Sequence, residues 1–181
     1  MKIAVYCGSN LGNNKAFEQG ARELGAWIGK NHHTLVYGAG KRGLMGVVAD
    51  AVLENGGEVI GVIPQIEEIQ QRKHLGLSRC IEVDTLSKRK EVMIELSDAF
   101  IALPGGPGTM DEISDVISLS RLNELKGACI LYDIDGYYQP LKQFYDEMET
   151  CGFVQANEMQ HILYSANLEE ITQFMIENYK D

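Results

Sequence analysis

Two charged segments carry residue types that could do chemistry on a small ligand if the fold brings them together. Glu112 ends the run 104–112, in which a glycine-rich turn leads into a predicted helix. A carboxylate one turn inside a helix whose start holds a phosphate would reach the attached sugar. There it could bind hydroxyls, orient water or stabilise positive charge on an opening ring.

Arg89 lies in the basic run 88–90, at the start of an earlier predicted helix. Cations at a helix amino-terminus oppose the helix dipole, so this run calls for compensation such as a bound anion. We expect the strands before the two helices, the fourth and the fifth, to be adjacent. Arg89 and Glu112 would then face each other across one pocket.

Simpler interpretations of the same residues stay open. Thr109 and Glu112 match a capping box, in which the first side chain caps the helix and the second reaches back to the cap. The run 88–90 could be a solvated basic face of an acidic protein. Asp111 is a second acidic candidate, although its side chain points about 100° away from Glu112 around the helix.

Three predicted strands end in loops rich in glycine or other small residues, at 7–10, 38–46 and 104–109. Glycine lets backbone N–H groups approach a ligand closely, and a following helix adds partial positive charge. One such loop is weak evidence, because turns between strands and helices carry glycine for geometric reasons alone. The three together predict a ligand that bears a phosphate.

Gly38, Gly40 and Gly43 formally match the dinucleotide fingerprint G-x-G-x-x-G, so a nicotinamide-dependent enzyme is considered. That fingerprint also needs an acidic residue about 20 positions on, near the end of the next strand. Glu58 instead stands at the beginning of that strand, and the loop follows the second strand rather than the first. No run matches the G-x-x-x-x-G-K-[ST] loop of nucleotide triphosphatases.

The elements that must position these residues alternate between strands and helices. Short β-branched runs predict strands at 2–7, 34–38, 57–63, 79–84, 98–103 and 128–134. Helical patterns lie near 14–31, 43–55, 87–97, 109–122, 138–150 and 167–179. This alternation predicts an α/β, Rossmann-like, doubly wound fold with a mainly parallel sheet of six to seven strands and helices on both faces. We expect a single nucleotide-binding domain over 1–181, with 64–78 as an irregular, mobile segment or lid.

Composition narrows the class of protein. The chain has 181 residues and a formal net charge of −10. An acidic surface repels nucleic acid and anionic membranes, so no partner of either kind is expected. No stretch offers about 20 uninterrupted apolar residues for a membrane span. The four cysteines form no C-x-x-C pair and the four histidines no H-x-x-x-H spacing, so we expect a cytoplasmic protein without metal.

Residues 104–112 read Pro-Gly-Gly-Pro-Gly-Thr-Met-Asp-Glu and resemble the P-G-G-x-G-T-x-x-E signature of the LOG ("lonely guy") family. Members of that family are cytokinin-activating phosphoribohydrolases, often mislabelled lysine decarboxylases. The loop 38–46 resembles the family's G-L-M-G segment, residues 7–9 resemble its first turn, and 135–141 resemble its D-G-Y-Y-x-P-L stretch.

The resemblance implies a Rossmann-type homodimer without a cofactor. It would hydrolyse the N-glycosidic bond of a nucleoside 5′-monophosphate, giving the free base and ribose 5-phosphate. The family's catalytic arginine and glutamate correspond to Arg89 and Glu112. Leu86 and Ser87 depart from the family's M-H-x-R-K-x-x-M segment, and Arg121 begins the run that replaces its Q-L-G-x-H. These departures bear on which base the protein accepts.

Our hypothesis is dissociative cleavage of the glycosidic bond. The backbone amides of the third loop and the Thr109 hydroxyl would hold the 5′-phosphate. Glu112 would stabilise the oxocarbenium-like ring or activate water, and Arg89 would orient the substrate and the glutamate. The predicted substrate-binding residues are Gly8, Ser9, Gly40, Gly43, Met45, Lys90, Met93, Gly105, Gly106, Gly108, Thr109 and Asp111.

Two other functions are weighed against this hypothesis. A nucleotide-binding sensor or carrier could use the same phosphate cradle with no turnover. A lysine decarboxylase would need a lysine that forms a Schiff base with pyridoxal phosphate, and no segment suggests one.

Overall fold

A computed structural model describes residues 1–122, 124–125, 127–155 and 157–179. The strands are β1 (Lys2–Tyr6), β2 (Thr34–Tyr37), β3 (Glu58–Pro64), β4 (Arg79–Val83), β5 (Ala99–Ala102), β6 (Ala128–Tyr132) and β7 (Ile162–Ser165). The helices are α1 (Lys15–Lys30), α2 (Gly43–Glu54), α3 (Glu67–Gln70), α4 (Leu86–Glu95), α5 (Pro107–Arg121), α6 (Gln139–Thr150) and α7 (Leu168–Asn178). A short 3₁₀ turn, Ile134–Gly136, follows β6.

The strands form one parallel sheet in the order β4-β3-β2-β1-β5-β6-β7. The predicted α/β, doubly wound fold class is therefore confirmed, and every strand that the sequence predicted is present. The pattern analysis missed β7, a four-residue strand at the edge of the sheet whose two central residues are only partly buried. So short and half-exposed a strand leaves little hydrophobic pattern to detect.

Helices cover both faces of the sheet. On one face, Leu24 of α1, Val48 of α2 and Ile171 of α7 belong to one buried cluster. On the other face, Met93 of α4 and Ile113 of α5 belong to a second cluster, against which α6 also packs. The inner strands β1, β2, β3, β5 and β6 are buried on both sides, which explains their nearly continuous apolar runs.

The direction in which the chain adds strands reverses at β1, which lies between β2 and β5. The expectation that β4 and β5 are adjacent is wrong, because β3, β2 and β1 separate them. The chain winds outward from β1 to β4 and returns to the centre through α4, which packs over β3 on its way to β5. A crossover helix can thus deliver residues to a site that its own preceding strand does not border. Ligands of such sheets bind at this reversal point, beyond the carboxyl ends of the strands.

Candidate active site

A cavity of about 430 Å³ opens beyond the carboxyl ends of β1 and β5, a volume ordinary for small-molecule sites. Loops after β1 and β5, the start of α2 and side chains from α1, α4 and the turn after β6 border it. It is lined by Cys7, Gly8, Ser9, Asn10, Leu11, Gly12, Phe17, Leu44, Met45, Arg89, Pro104, Gly105, Gly106, Pro107, Gly108, Thr109, Glu112 and Tyr137. The predicted site residues among these are Gly8, Ser9, Met45, Arg89, Gly105, Gly106, Gly108, Thr109 and Glu112.

The amino-terminus of α5 meets the cavity with no side-chain cap. Its N-cap residue is Gly106, and Pro107 occupies the first helical position. Because proline has no N–H, the amides of Gly106, Gly108 and Thr109 are the ones left without a partner inside the helix. The capping-box interpretation is wrong, since Thr109 is the third helical residue and Glu112 pairs elsewhere. Three free amides and the helix dipole together favour an anion here.

The loop that carries these amides is tightly packed against the loop after β1. The Gly8 N–H donates to the Pro104 carbonyl at 3.0 Å. A Cβ on Gly105 would lie 2.1 Å from Oγ1 of the buried Thr109 and 2.9 Å from the Gly8 nitrogen, so only glycine fits. A Cβ on either of the other two glycines of this loop would meet no atom within 4 Å. The backbone of the loop is therefore fixed on one side and open on the other.

Arg89 of α4 and Glu112 of α5 form an ion pair in the cavity wall, as the sequence predicted. Nη2 of Arg89 donates to Oε1 of Glu112, and the two side chains are only 15% and 10% exposed. The guanidinium also lies against Gly38, where a Cβ would approach Nη1 to 3.3 Å. Within the described residues, the buried Nε of Arg89 has no hydrogen-bond partner. The arginine thus has a buried donor, Nε, that no acceptor among these residues satisfies.

Glu112 sits in surroundings that favour its protonated form. Burial raises the pKa of the Glu112 carboxyl above its ordinary value, while the Arg89 charge opposes this rise. A carboxyl of this kind exchanges its proton at higher pH than an exposed glutamate, as suits a general base or acid. Burial also raises the pKa of the Cys7 thiol, which disfavours the thiolate and hence a nucleophilic role for this residue.

The other cations of the basic run are compensated by carboxylates rather than by a bound anion. Lys88 pairs with the exposed Glu91 of its own helix. Lys90 contacts both Asp111 at 2.9 Å and Asp115 at 2.7 Å on α5. Lys90 and Asp111 are not among the residues that line the cavity.

Met93 also lies away from the cavity, wholly buried in the core under α4. It stands one helical turn after Arg89, so the two share a helix face. The structure gives it a packing contact where the sequence predicted a substrate contact.

The glycine loop after β2 packs against the loop after β1 that lines the cavity. Gly43 has a φ of +61°, and a Cβ there would lie 2.3 Å from the Asn10 nitrogen, so glycine is required. Gly40 packs against the Met45 side chain and bridges to Lys73. Leu44 and Met45, at the start of α2, line the cavity. Gly40 and Gly43 are not among the lining residues.

The segment 64–78, expected to be a mobile surface segment or lid, is bonded to the loop after β2 instead. Lys41 donates its backbone N–H to Arg72, and His74 donates its own to Ala39. The short helix α3 lies within this segment. In this structure the segment braces the glycine loop from outside the cavity lining.

Sequence reasoning missed the residues of the opposite cavity wall. Leu11, Phe17 and Tyr137 line it, and Phe17 packs edge-on against Tyr137 with ring centroids 5.5 Å apart. Tyr137 also donates its hydroxyl to the Gly105 carbonyl. Its position in the D-G-Y-Y stretch was the available signal, although that stretch lies far from the glycine loops in sequence.

Two further properties concern metals and membranes. Within the described residues, no cluster of three or more His, Cys, Asp or Glu side chains is arranged to hold a metal ion. Across the same residues, no helix is both long and apolar enough to cross a bilayer.

Comparison with known proteins places this chain in a family. The model of a family described as "Possible lysine decarboxylase" matches residues 45–175. A probable cytokinin riboside 5′-monophosphate phosphoribohydrolase of Oryza sativa subsp. japonica is 38% identical over 174 residues, which cover 96% of this chain and 78% of that protein. The cytokinin riboside 5′-monophosphate phosphoribohydrolase of Rhodococcoides fascians is 36% identical over 168 residues, 92% of this chain and 85% of the relative.

Solved structures support the fold alone. The molybdenum cofactor carrier protein of Chlamydomonas reinhardtii superposes with a TM-score of 0.71 at 19% identity, covering 97% of this chain and 98% of its own. The sequence matches extend over nearly the whole chain. This chain belongs to the LOG family of cytokinin riboside 5′-monophosphate phosphoribohydrolases, which the family model labels as possible lysine decarboxylases.

Proposed function

We propose that this chain is an N-glycosyl hydrolase that acts on a purine nucleoside 5′-monophosphate, including N6-modified adenine nucleotides. The reaction adds water across the bond between the base and C1′ of the ribose. The hydroxyl goes to C1′ and the proton to the base, so the products are the free base and ribose 5-phosphate. The observation that carries this proposal is the buried Arg89–Glu112 pair, which lies in the same cavity as the uncapped amino-terminus of α5.

The phosphate would bind at the start of α5. The amides of Gly106, Gly108 and Thr109 have no partner inside the helix, and the helix dipole adds partial positive charge. Glu112 follows Thr109 by three residues, a rise of about 4.5 Å along the helix. A sugar that hangs from the bound phosphate would therefore reach the carboxylate.

Glu112 would act on the ribose during bond cleavage. As the base departs, positive charge develops at C1′ and the ring oxygen, and a nearby carboxylate stabilises that charge in a water-poor site. The same carboxylate can accept a proton from the attacking water. Its raised pKa makes the second role effective, because a stronger base takes up the proton more readily.

Arg89 would hold the carboxylate in place and help to position the substrate. Its guanidinium already bonds to Glu112, and its buried Nε is a donor without a partner among the described residues. That atom is too buried to meet a ligand, but the side chain is 15% exposed and lines the cavity, so a hydroxyl or ring nitrogen of the substrate could accept from its terminal nitrogens. The arginine thus links the glutamate to the ligand and limits the cost of burying its charge.

Lysine decarboxylation does not fit this site. That reaction uses pyridoxal phosphate bound as a Schiff base to a lysine. None of the residues lining the cavity in the described chain is a lysine, and Lys90 is held by Asp111 and Asp115. We therefore derive no decarboxylase step.

Product release tests the proposal. Purified protein incubated with adenosine monophosphate, or with its prenylated form, should release free base and ribose 5-phosphate in equal amounts. Glu112→Gln should lower kcat by about 100-fold or more with a much smaller effect on affinity. Asp115→Asn is the matched control, because Asp115 lies on the same helix and Lys90 retains its contact with Asp111.

Nucleotide binding without release of base by the wild-type protein would favour the carrier alternative. Wild-type turnover by Glu112→Gln would contradict the catalytic assignment. From the family resemblance we also propose a homodimer in the cytoplasm. Light scattering on the purified protein and cell fractionation test these two points.

A further inference from the structure

A tyrosine hydroxyl bonds directly to the backbone of the phosphate loop. Tyr137, in the turn after β6, donates to the carbonyl of Gly105. Its ring is held from two sides, by Phe17 at 5.5 Å and by Tyr138 at 5.0 Å between ring centroids. The side chain is therefore fixed at the cavity wall by contacts with α1 and with its own turn.

The turn that carries Tyr137 is itself anchored. The Asp133 carboxylate accepts from the backbone N–H of Tyr138 at 2.6 Å. Asn14, the N-cap of α1, donates its side-chain amide to Asp135 at 2.7 Å. Because these bonds join the turn to α1 and to the end of β6, the hydroxyl reaches Gly105 from a defined direction.

That direction settles where the next amide points. On the β1 side of β5, Leu103 donates to Tyr6 and Pro104 accepts from Gly8. The Gly105 carbonyl instead points to the β6 side, where Tyr137 lies. In a trans peptide the carbonyl of one residue and the N–H of the next point in opposite directions. The Gly106 N–H therefore points to the β1 side, toward the loop 8–12 that borders the cavity.

We infer that Tyr137 is a positioning residue, whose hydroxyl locks the Gly105–Gly106 peptide so that the Gly106 amide faces the bound phosphate. This inference rests on the proposed function, which places a phosphate there. Both residues of the peptide are glycines, so the peptide is unusually free to flip. A flipped peptide would turn a carbonyl oxygen toward the anion in place of an N–H donor.

The neighbouring tyrosine supplies a matched control. Tyr138 also donates its hydroxyl to a carbonyl of this segment, that of Leu103, at 2.8 Å. The residue after Leu103 is Pro104, which has no N–H, so that bond orients no donor toward the ligand. Phenylalanine at either position removes one hydroxyl and keeps the ring. The two variants therefore lose the same type of bond, and only one of them frees a donor peptide.

The experiment compares wild type, Tyr137→Phe and Tyr138→Phe in two assays. Calorimetry measures binding of ribose 5-phosphate and of adenosine, and steady-state kinetics measures turnover of adenosine monophosphate. Tyr137→Phe should weaken ribose 5-phosphate binding and raise KM by about three- to tenfold, as the fraction of molecules with the amide correctly oriented falls. Adenosine affinity and kcat should change by less than about twofold, because adenosine has no phosphate and the lost contact serves binding. Tyr138→Phe should lower Tm and leave these ligand constants near those of wild type.

The outcomes separate this inference from the proposed function. Ribose 5-phosphate binding that is equal in wild type and Tyr137→Phe overturns the positioning role, whatever the turnover. An equal loss of adenosine and ribose 5-phosphate binding also overturns it, since it indicates a general defect of the cavity. If wild type binds ribose 5-phosphate more tightly than Tyr137→Phe but releases no base, the positioning role stands and the hydrolase proposal fails. If wild type binds neither ribose 5-phosphate nor adenosine monophosphate, the positioning role and the hydrolase proposal are both overturned.

Discussion

Replacing Arg89 by methionine removes the charge that compensates Glu112 and keeps a side chain of similar length. Burial raises the pKa of the Glu112 carboxyl in the folded protein above its unfolded-state value, and Arg89 opposes that rise. The folded state therefore binds this proton more tightly than the unfolded state. The stability that Glu112 contributes through this proton is present below its unfolded-state pKa and is lost as the pH rises through its folded-state pKa. Without Arg89 the folded-state pKa rises further, so the loss becomes larger and extends to higher pH.

The size of the effect follows from the burial of the pair. Both side chains are largely buried, and removing one partner of such a pair costs about 3–5 kcal/mol. For a chain of 181 residues, 1 kcal/mol corresponds to a change of roughly 2–4 °C in Tm. Arg89→Met should therefore lower Tm by roughly 6–20 °C near pH 8, where Glu112 must ionise or hold its proton at a cost. The decrease should shrink as the pH is lowered, because the neutral carboxyl then forms more easily.

Thermal unfolding followed by circular dichroism, at several pH values, measures this dependence. The double variant Arg89→Met with Glu112→Gln is the internal control, because a neutral amide removes the titrating group. It should be more stable than Arg89→Met alone near pH 8, with a pH dependence no steeper than that of Asp115→Asn. An equal decrease in Tm for Arg89→Met at both ends of the pH range would refute the reasoning. So would a double variant no more stable than the single one.

Three further predictions concern the loops and the pH dependence of catalysis. Gly105→Ala should lower the free energy of unfolding by about 1–3 kcal/mol, because the added methyl group collides with Thr109. Gly108→Ala should change it by no more than about 1 kcal/mol, because a Cβ there meets no atom. Equal losses for the two variants in chemical denaturation would contradict this prediction. Gly43→Ala should lower both Tm and nucleotide affinity, because alanine is strained at a φ of +61° and its methyl group collides with the loop after β1. Wild-type affinity in this variant would show that the loop after β2 does not shape the cavity. The acidic limb of the kcat/KM–pH profile, which reports groups of the free enzyme, should lie above the usual glutamate pKa of about 4.3, because burial of Glu112 favours its inactive, protonated form. A limb at or below that value would contradict the assignment.

Local sequence patterns predicted the parts of the site that depend on local structure. Continuous apolar runs located the central strands, and the glycines after them located the loops at their carboxyl ends. The predicted helix 109–122 begins two residues after the observed start of α5 at Pro107. Pro107 was the better signal, since proline favours the first helical position and Gly106 can precede it.

Strand order was beyond the reach of these patterns, because adjacency depends on which helix faces pack together across the whole sheet. The pairing of Arg89 with Glu112 was nevertheless predicted, although the reason given for it, adjacency of β4 and β5, was wrong. The aromatic wall was missed for a similar cause. Tyr137 reaches the phosphate loop only because β6 lies beside β5, which is long-range information.

The crossover helix α4 explains how an arginine that follows an edge strand acts at the centre of the sheet. Its rotation is fixed on one face by Met93, buried one turn after Arg89, and its distance from α5 is fixed by Lys90, which bridges to Asp111 and Asp115. These contacts leave Arg89 directed at the Glu112 carboxylate. Lys90 and Met93 belong to the same segment pattern as the arginine, and the structure gives both a part in orienting the helix. The lysine and methionine of the pattern R-K-x-x-M therefore serve to place the guanidinium of the arginine, and only the arginine lines the cavity.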